Sequence, residues 1–171
     1  MGETSFQPAE IIAALERHGV RYVVIGGLAT TLHGSPLMTT VADICPAREE
    51  DNLQRLARAL IELRARIRTA GVPEGLAFAC DAAFLSRIEV ALNLTTRSGD
   101  LDLSILPSGT SGLEDLRQHA VMMSLMGRPV AVASLTDVIR SKEAANRPKD
   151  QIALPALRLL LQRLKTGDGD R

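Results

Sequence analysis

The stretch that decides the fold is Tyr22-Val23-Val24-Ile25-Gly26-Gly27-Leu28-Ala29, followed after a short segment by Val41-Ala42-Asp43-Ile44-Cys45-Pro46. Val20 to Ile25 is a β-branched apolar run, which predicts a buried strand. Gly26-Gly27 turns the chain, Leu28 to His33 predicts a brief helix, and Gly34-Ser35-Pro36 stops it. Val41 to Cys45 predicts the next strand, ended by Pro46. Side chains alternate across a strand, so residues 41 and 43 share a face. Two carboxylates so placed can share a divalent ion. This chain carries Val41 and Asp43, one acid of such a pair.

Outward from that segment, Pro8 to His18 predicts a short helix, with Pro8 in the first turn and Gly19 at the exit. Leu53, Leu56, Ala57, Leu60 and Leu63 recur at helical spacing and predict a helix over Glu49 to Leu63. Arg66 to Thr69 reads as a short strand, Ala70 to Gly75 as a loop because of Gly71-Val72-Pro73, and residues 77 to 90 as helix. Leu92 to Thr96 and Asp100 to Ile105 form a hairpin across Arg97-Ser98-Gly99. Its second arm alternates cleanly, with Asp100, Asp102 and Ser104 on one face and Leu101, Leu103 and Ile105 on the other.

A loop over Pro107 to Gly112 leads to a helix near Leu113 to His119, then to strands at Val121 to Leu125 and Pro129 to Ala133. Ser134-Leu135-Thr136-Asp137 has the capping-box form and opens a helix to about Ala145, broken at Arg147-Pro148. A last helix reaches Leu164, and residues 166–171 read as a flexible tail. The expectation is a single domain over residues 1–165, of α/β (α+β) class, with a mixed sheet flanked by helices.

Composition narrows the function. Net charge is zero and the aromatics are Tyr22 and three Phe, so neither an electrostatic sponge nor a stacking platform for nucleic acid is expected. Cations cluster locally, as Arg55, Arg58, Arg64, Arg66 and Arg68, and again as Arg140, Lys142, Arg147 and Lys149. Cys45 and Cys80 have no metal-ligand spacing and mark no disulfide framework. No signal-like segment or membrane-length apolar run is present, so a cytoplasmic protein without membrane contact is expected.

The residues able to carry chemistry are mostly acidic. Asp43 and Asp102, with Asp100 as a weaker candidate, are placed to ligate divalent cations. Taken singly, each reads better as a strand-end or solvated hairpin residue; taken with Gly26-Gly27 at the right distance, the metal site is the better reading. Gly26-Gly27 between a strand and a helix can turn backbone N–H groups toward phosphate. Lys142 and Lys149 can meet a triphosphate as point charges, although solvated helix faces would explain them too. His18, His33 and His119 read as packing or capping residues, and residues 108–112 lack the ending of a phosphate loop.

Taken in order, these pieces resemble the nucleotidyltransferase toxins of type IV-like toxin–antitoxin systems, the AbiEii/MenT group of the DNA polymerase β superfamily. The matching stretches are residues 22–29, His33-Gly34-Ser35-Pro36, Thr39 to Ile44, Thr95 to Leu103, Ser141-Lys142-Glu143-Ala144 and Arg147-Pro148-Lys149-Asp150. The resemblance implies the minimal nucleotidyltransferase fold and transfer from an NTP to an RNA 3′ end, with Mg²⁺ in a two-metal site expected for the Asp-restored form. In one branch that end is the tRNA acceptor, and translation stops. Asp43 and Asp102 would then be metal ligands, Gly26 and Gly27 the phosphate-facing turn, and Lys142 and Asp150 active-site residues. A cognate antitoxin is the implied partner. In some such systems it is a kinase acting two residues before the first acidic position, which here is Thr39. Val41 departs from the pattern by standing where the family carries Asp, so this bacterial chain is expected to be an impaired form. The alternatives are a non-catalytic nucleotide- or partner-binding protein, and a transferase acting on a protein or small-molecule hydroxyl.

Overall fold

A computed structural model describes residues 4–167. The chain runs α1 (Pro8–Arg17), β1 (Tyr22–Ile25), α2 (Gly26–Leu32), β2 (Val41–Pro46), α3 (Glu50–Glu62), β3 (Arg66–Thr69) and β4 (Val72–Leu76). It continues through α4 (Ala82–Ser86), β5 (Ala91–Thr96), β6 (Gly99–Ser104), α5 (Leu113–Arg117), β7 (Val121–Leu125), β8 (Arg128–Val132), α6 (Leu135–Ala145) and α7 (Pro148–Gly167). The strands form one sheet in the order β4-β3-β5-β6-β2-β1-β8-β7. β2 runs parallel to β6 and β1 parallel to β8, and the other pairs are antiparallel, so the sheet is mixed as expected.

The alternation seen in β2 and β6 sorts their residues by face. Ala42 and Ile44 pair in register with Leu101 and Leu103, and all four are buried with the apolar faces of α1 and α3 in one core. Val41, Asp43, Asp100 and Asp102 turn the opposite way. A second, smaller cluster of Leu135, Ile139, Ala153, Leu154 and Leu157 joins α6 to α7. No helix among the described residues is long and apolar enough to cross a membrane.

Three expectations are corrected. The segment read as a loop at residues 70–75 is mostly strand, because Val72–Leu76 folds back on β3 through a turn at Ala70-Gly71. β4 is an edge strand, so the missing N–H of Pro73 costs the sheet nothing. Only Ala82–Ser86 of residues 77–90 is helical, opened by Asp81, whose Oδ1 accepts from Phe84 N at 2.7 Å. Finally, α7 continues through Thr166 and Gly167, and the rest of the expected tail lies outside the described residues. The cap at Ser134 is found as read, with its hydroxyl accepting from Asp137 N at 3.1 Å.

Asn52 ties the helical layer to the sheet. Its side chain is fully buried, accepts from Arg21 N at 2.7 Å, and donates to Ala47 O at 2.7 Å and Arg21 O at 3.0 Å. Truncation would strand one donor, Arg21 N, and one acceptor, Ala47 O, while Arg21 O keeps its bond from Ala47 N at 3.0 Å. Asn52→Ala is therefore expected to lose about 2–3 kcal/mol of stability, read as a shifted urea midpoint with an unchanged slope.

Candidate active site

Ile25 at the end of β1 pairs with Asp43 on β2, so the glycine corner that follows lies against that carboxylate. Gly26 adopts φ +61, and a Cβ there would meet Asp43 Oδ2 at 2.5 Å. Glycine is thus required twice over, by conformation and by space. A Cβ on Gly27 would sit 3.0 Å from Thr39 Oγ1, a hydroxyl already engaged with Val41, donating to its carbonyl at 3.0 Å. The turn, Thr39 and Asp43 form one close-packed wall.

Parallel pairing of β2 with β6 sets Val41 opposite Asp100 and Asp43 opposite Asp102. The expected acids are therefore brought together on one open face of the sheet. Asp43 and Asp102 line a cleft of about 760 Å³ with Gly26, Gly27, Lys142, Arg147 and Lys149. Burial, and then the charge of Asp102, pushes the Asp43 carboxyl up to about 6, against the pull of Lys149, Lys142 and Arg147. Burial also raises Asp102, opposed mainly by Arg68. Burial and neighbouring carboxylate charge disfavour the ionised form at both residues, an effect that a cation would offset.

The cationic wall comes from the α6–α7 corner. Asp150 is completely buried and holds Arg147 Nε at 2.7 Å and Lys142 Nζ at 3.5 Å. Burial alone would raise its pKa, but hydrogen bonds from Arg147 and the nearby Lys142 charge outweigh it and hold the carboxyl low. Asp150 is thus a fixed anion that aims two cations at the cleft and does not itself line it. Lys149 is exposed and makes no ion pair among the described residues.

Hard oxygen donors on Asp43 and Asp102 fit one Mg²⁺, which binds through one or two carboxylates and completes its shell with water and phosphate. Val41 supplies no donor at the third position. Among the described residues no group of three or more His, Cys, Asp or Glu is arranged to hold a metal.

The sequence reading missed Arg68. It grouped this residue into a basic cluster that the structure disperses. Arg55 pairs with Asp51 and bonds Gly19 O, Arg66 bonds the carbonyls of Glu74 and Gly75, and Arg68 reaches Asp102 at 2.7 Å. Period 2 along Arg66 to Arg68 was available as a signal, but the pairing of β3 with β5 that delivers it is long-range. Asp137, read only as part of a cap, also lines the cleft beside Val138 and Ser141. His33 shares a 2.8 Å hydrogen bond with Ala133 O, in keeping with a packing role, and burial raises both cysteine thiols well above their ordinary range.

No protein-family model matches the chain, and no curated protein matches it. Solved structures do. The lincosamide antibiotic adenylyltransferase LnuA, bound to lincomycin, superposes with a TM-score of 0.60 at 14% identity, over 91% of this chain and 99% of that one. ANT(2″)-Ia in complex with adenylyl-2″-tobramycin gives a TM-score of 0.59 at 15% identity, over 92% of this chain and 87% of its own. Nearly the whole chain is therefore built on the mixed-sheet fold of the nucleotidyltransferases.

Proposed function

We propose that this chain binds a nucleoside triphosphate with Mg²⁺ in the cleft, for nucleotidyl transfer to the 3′ acceptor end of tRNA, and that Val41 impairs the transfer step. The observation that carries the reading is the in-register pair Asp43 and Asp102, set below the Gly26-Gly27 corner and facing Lys142 and Lys149. Mg²⁺ held there supplies charge neutralisation at the phosphates and a lowered pKa for the attacking hydroxyl. Lys142 and Lys149 offer point charges to the triphosphate, and Asp150 keeps Lys142 in place. The absent carboxylate at position 41 leaves the acceptor side without its ligand. The reading includes an arrest of translation and a cognate antitoxin as partner. Thr39, packed on Gly27 beside the acids, is where modification by a kinase antitoxin would disturb the site most directly.

A second reading is favoured by a specific feature. Leu37, Met38, Val90 and Leu106 all line the cleft and are 45–94% exposed, while the arginines that might have tracked RNA are dispersed. An apolar rim suits a small hydroxyl compound with an apolar part, and small hydroxyl-bearing molecules are named in the two structures above. Presenting Val41→Asp with labelled NTPs and, separately, total tRNA and aminoglycoside or lincosamide acceptors decides between them. Label in tRNA, with binding that weakens steeply as salt rises, is the expected result. Label in the small molecules alone would replace the acceptor, and label in neither would leave a non-catalytic binding protein.

A further inference from the structure

One contact on the acidic face goes beyond the backbone pairing of its strand. β3 is already joined to β5 by its backbone, with Arg66 opposite Thr95 and Ile67 opposite Leu94. Arg68 nevertheless extends its side chain across β5. Its Nη1 donates to Leu94 O at 2.9 Å and lies 3.3 Å from Asp100 Oδ2, while Nη2 donates to Asp102 Oδ1 at 2.7 Å. A guanidinium fixed at three points over carboxylates that are 23–35% exposed is placed far more firmly than a surface ion pair.

Charge on this face does not balance. Asp43, Asp100 and Asp102 face a single guanidinium, which leaves two negative charges uncompensated on the sheet side. Across the cleft, Lys142 and Arg147 share the buried anion Asp150, and with Lys149 they act on Asp43 only at longer range. Among the described residues Asp43 makes no side-chain hydrogen bond or ion pair, and the more distant cations only partly offset its burial.

We propose that Arg68 is a built-in counter-cation that makes this a single-ion site. It occupies one oxygen of Asp102 and neutralises Asp100, leaving Asp43 and the second Asp102 oxygen to hold one divalent cation with the phosphates of the substrate. Arg68 is a positioning residue here, acting through Asp102, and its charge competes with the ion it helps to place. The inference rests on the metal-dependent nucleotide reading above.

The test uses Mn²⁺ as the probe, with the full chain at pH 8, titrated by electron paramagnetic resonance alone and with a non-hydrolysable NTP analogue. One Mn²⁺ per chain is expected. Arg68→Gln removes the competing charge and is expected to bind Mn²⁺ about tenfold tighter. Arg68→Lys keeps the charge and should stay close to the unmodified chain. A merely structural role would instead weaken binding in both variants and lower their melting temperatures together. Unchanged or weaker Mn²⁺ binding in a folded Arg68→Gln overturns the proposal. Two ions per unmodified chain overturn it as well, and that measurement needs no variant. Mn²⁺ binding that ignores Asp43→Asn takes down the metal-nucleotide reading and this inference together, whereas a response to Asp43→Asn without one to Arg68→Gln removes the inference alone.

Discussion

Val41→Asp is expected to raise nucleotidyl transfer by about 100-fold or more over the unmodified chain, measured as initial rates with labelled NTP. The scale follows from charge. A carboxylate shared with bound Mg²⁺ is worth several kcal/mol of transition-state stabilisation, and every 1.4 kcal/mol or so is tenfold in rate. Position 41 is suited to the change, since Val41 lies two residues before Asp43 on the same strand face and lines the cleft. Asp100 stands opposite it in register, so the new acid adds to a like-charged row and should lower the melting temperature without metal. Added Mg²⁺ should recover that loss. A rate gain under tenfold, with the fold intact, would mean that the missing carboxylate is not what limits transfer.

Asp43→Asn should remove Mg²⁺-dependent nucleotide binding and at the same time stabilise the empty protein. The Asp43 carboxyl is raised from 3.8 to about 6, first by burial and then by Asp102. A group whose folded pKa exceeds its unfolded value binds more protons when folded, so stability falls as pH rises from about 4 to about 6. Above pH 6 the full penalty is present, on the order of 2 kcal/mol. Asparagine carries no charge to desolvate. The variant should therefore unfold later than the parent in urea at pH 8, and the two should converge near pH 4. On the proposed reading, function and stability oppose one another at this residue. Equal stabilities at pH 8 would show that Asp43 ionises without strain.

Much of this was legible because local patterns and global fold agree. The β-branched run before Gly26-Gly27, the alternation in β6 and the cap at Ser134 each announce their element without help from elsewhere. The pairing of Asp43 with Asp102 follows once both strands are placed in one sheet. What failed was long-range or environment-dependent. Pro73 reads as a loop residue until β4 is known to be an edge strand. Arg68 reads as one cation among five until β3 is laid beside β5, two strands from the acids. Asp150 was recognised by resemblance, but its part as a buried anchor for Lys142 and Arg147 depends on the α6–α7 corner, which no spacing reveals.

The most direct test of the central claim is calorimetric titration of NTP into the unmodified chain and into Asp43→Asn, each with Mg²⁺ and with EDTA. The account requires binding by the unmodified chain that depends on Mg²⁺ and is lost in Asp43→Asn. Binding that is indifferent both to Mg²⁺ and to Asp43 would contradict it.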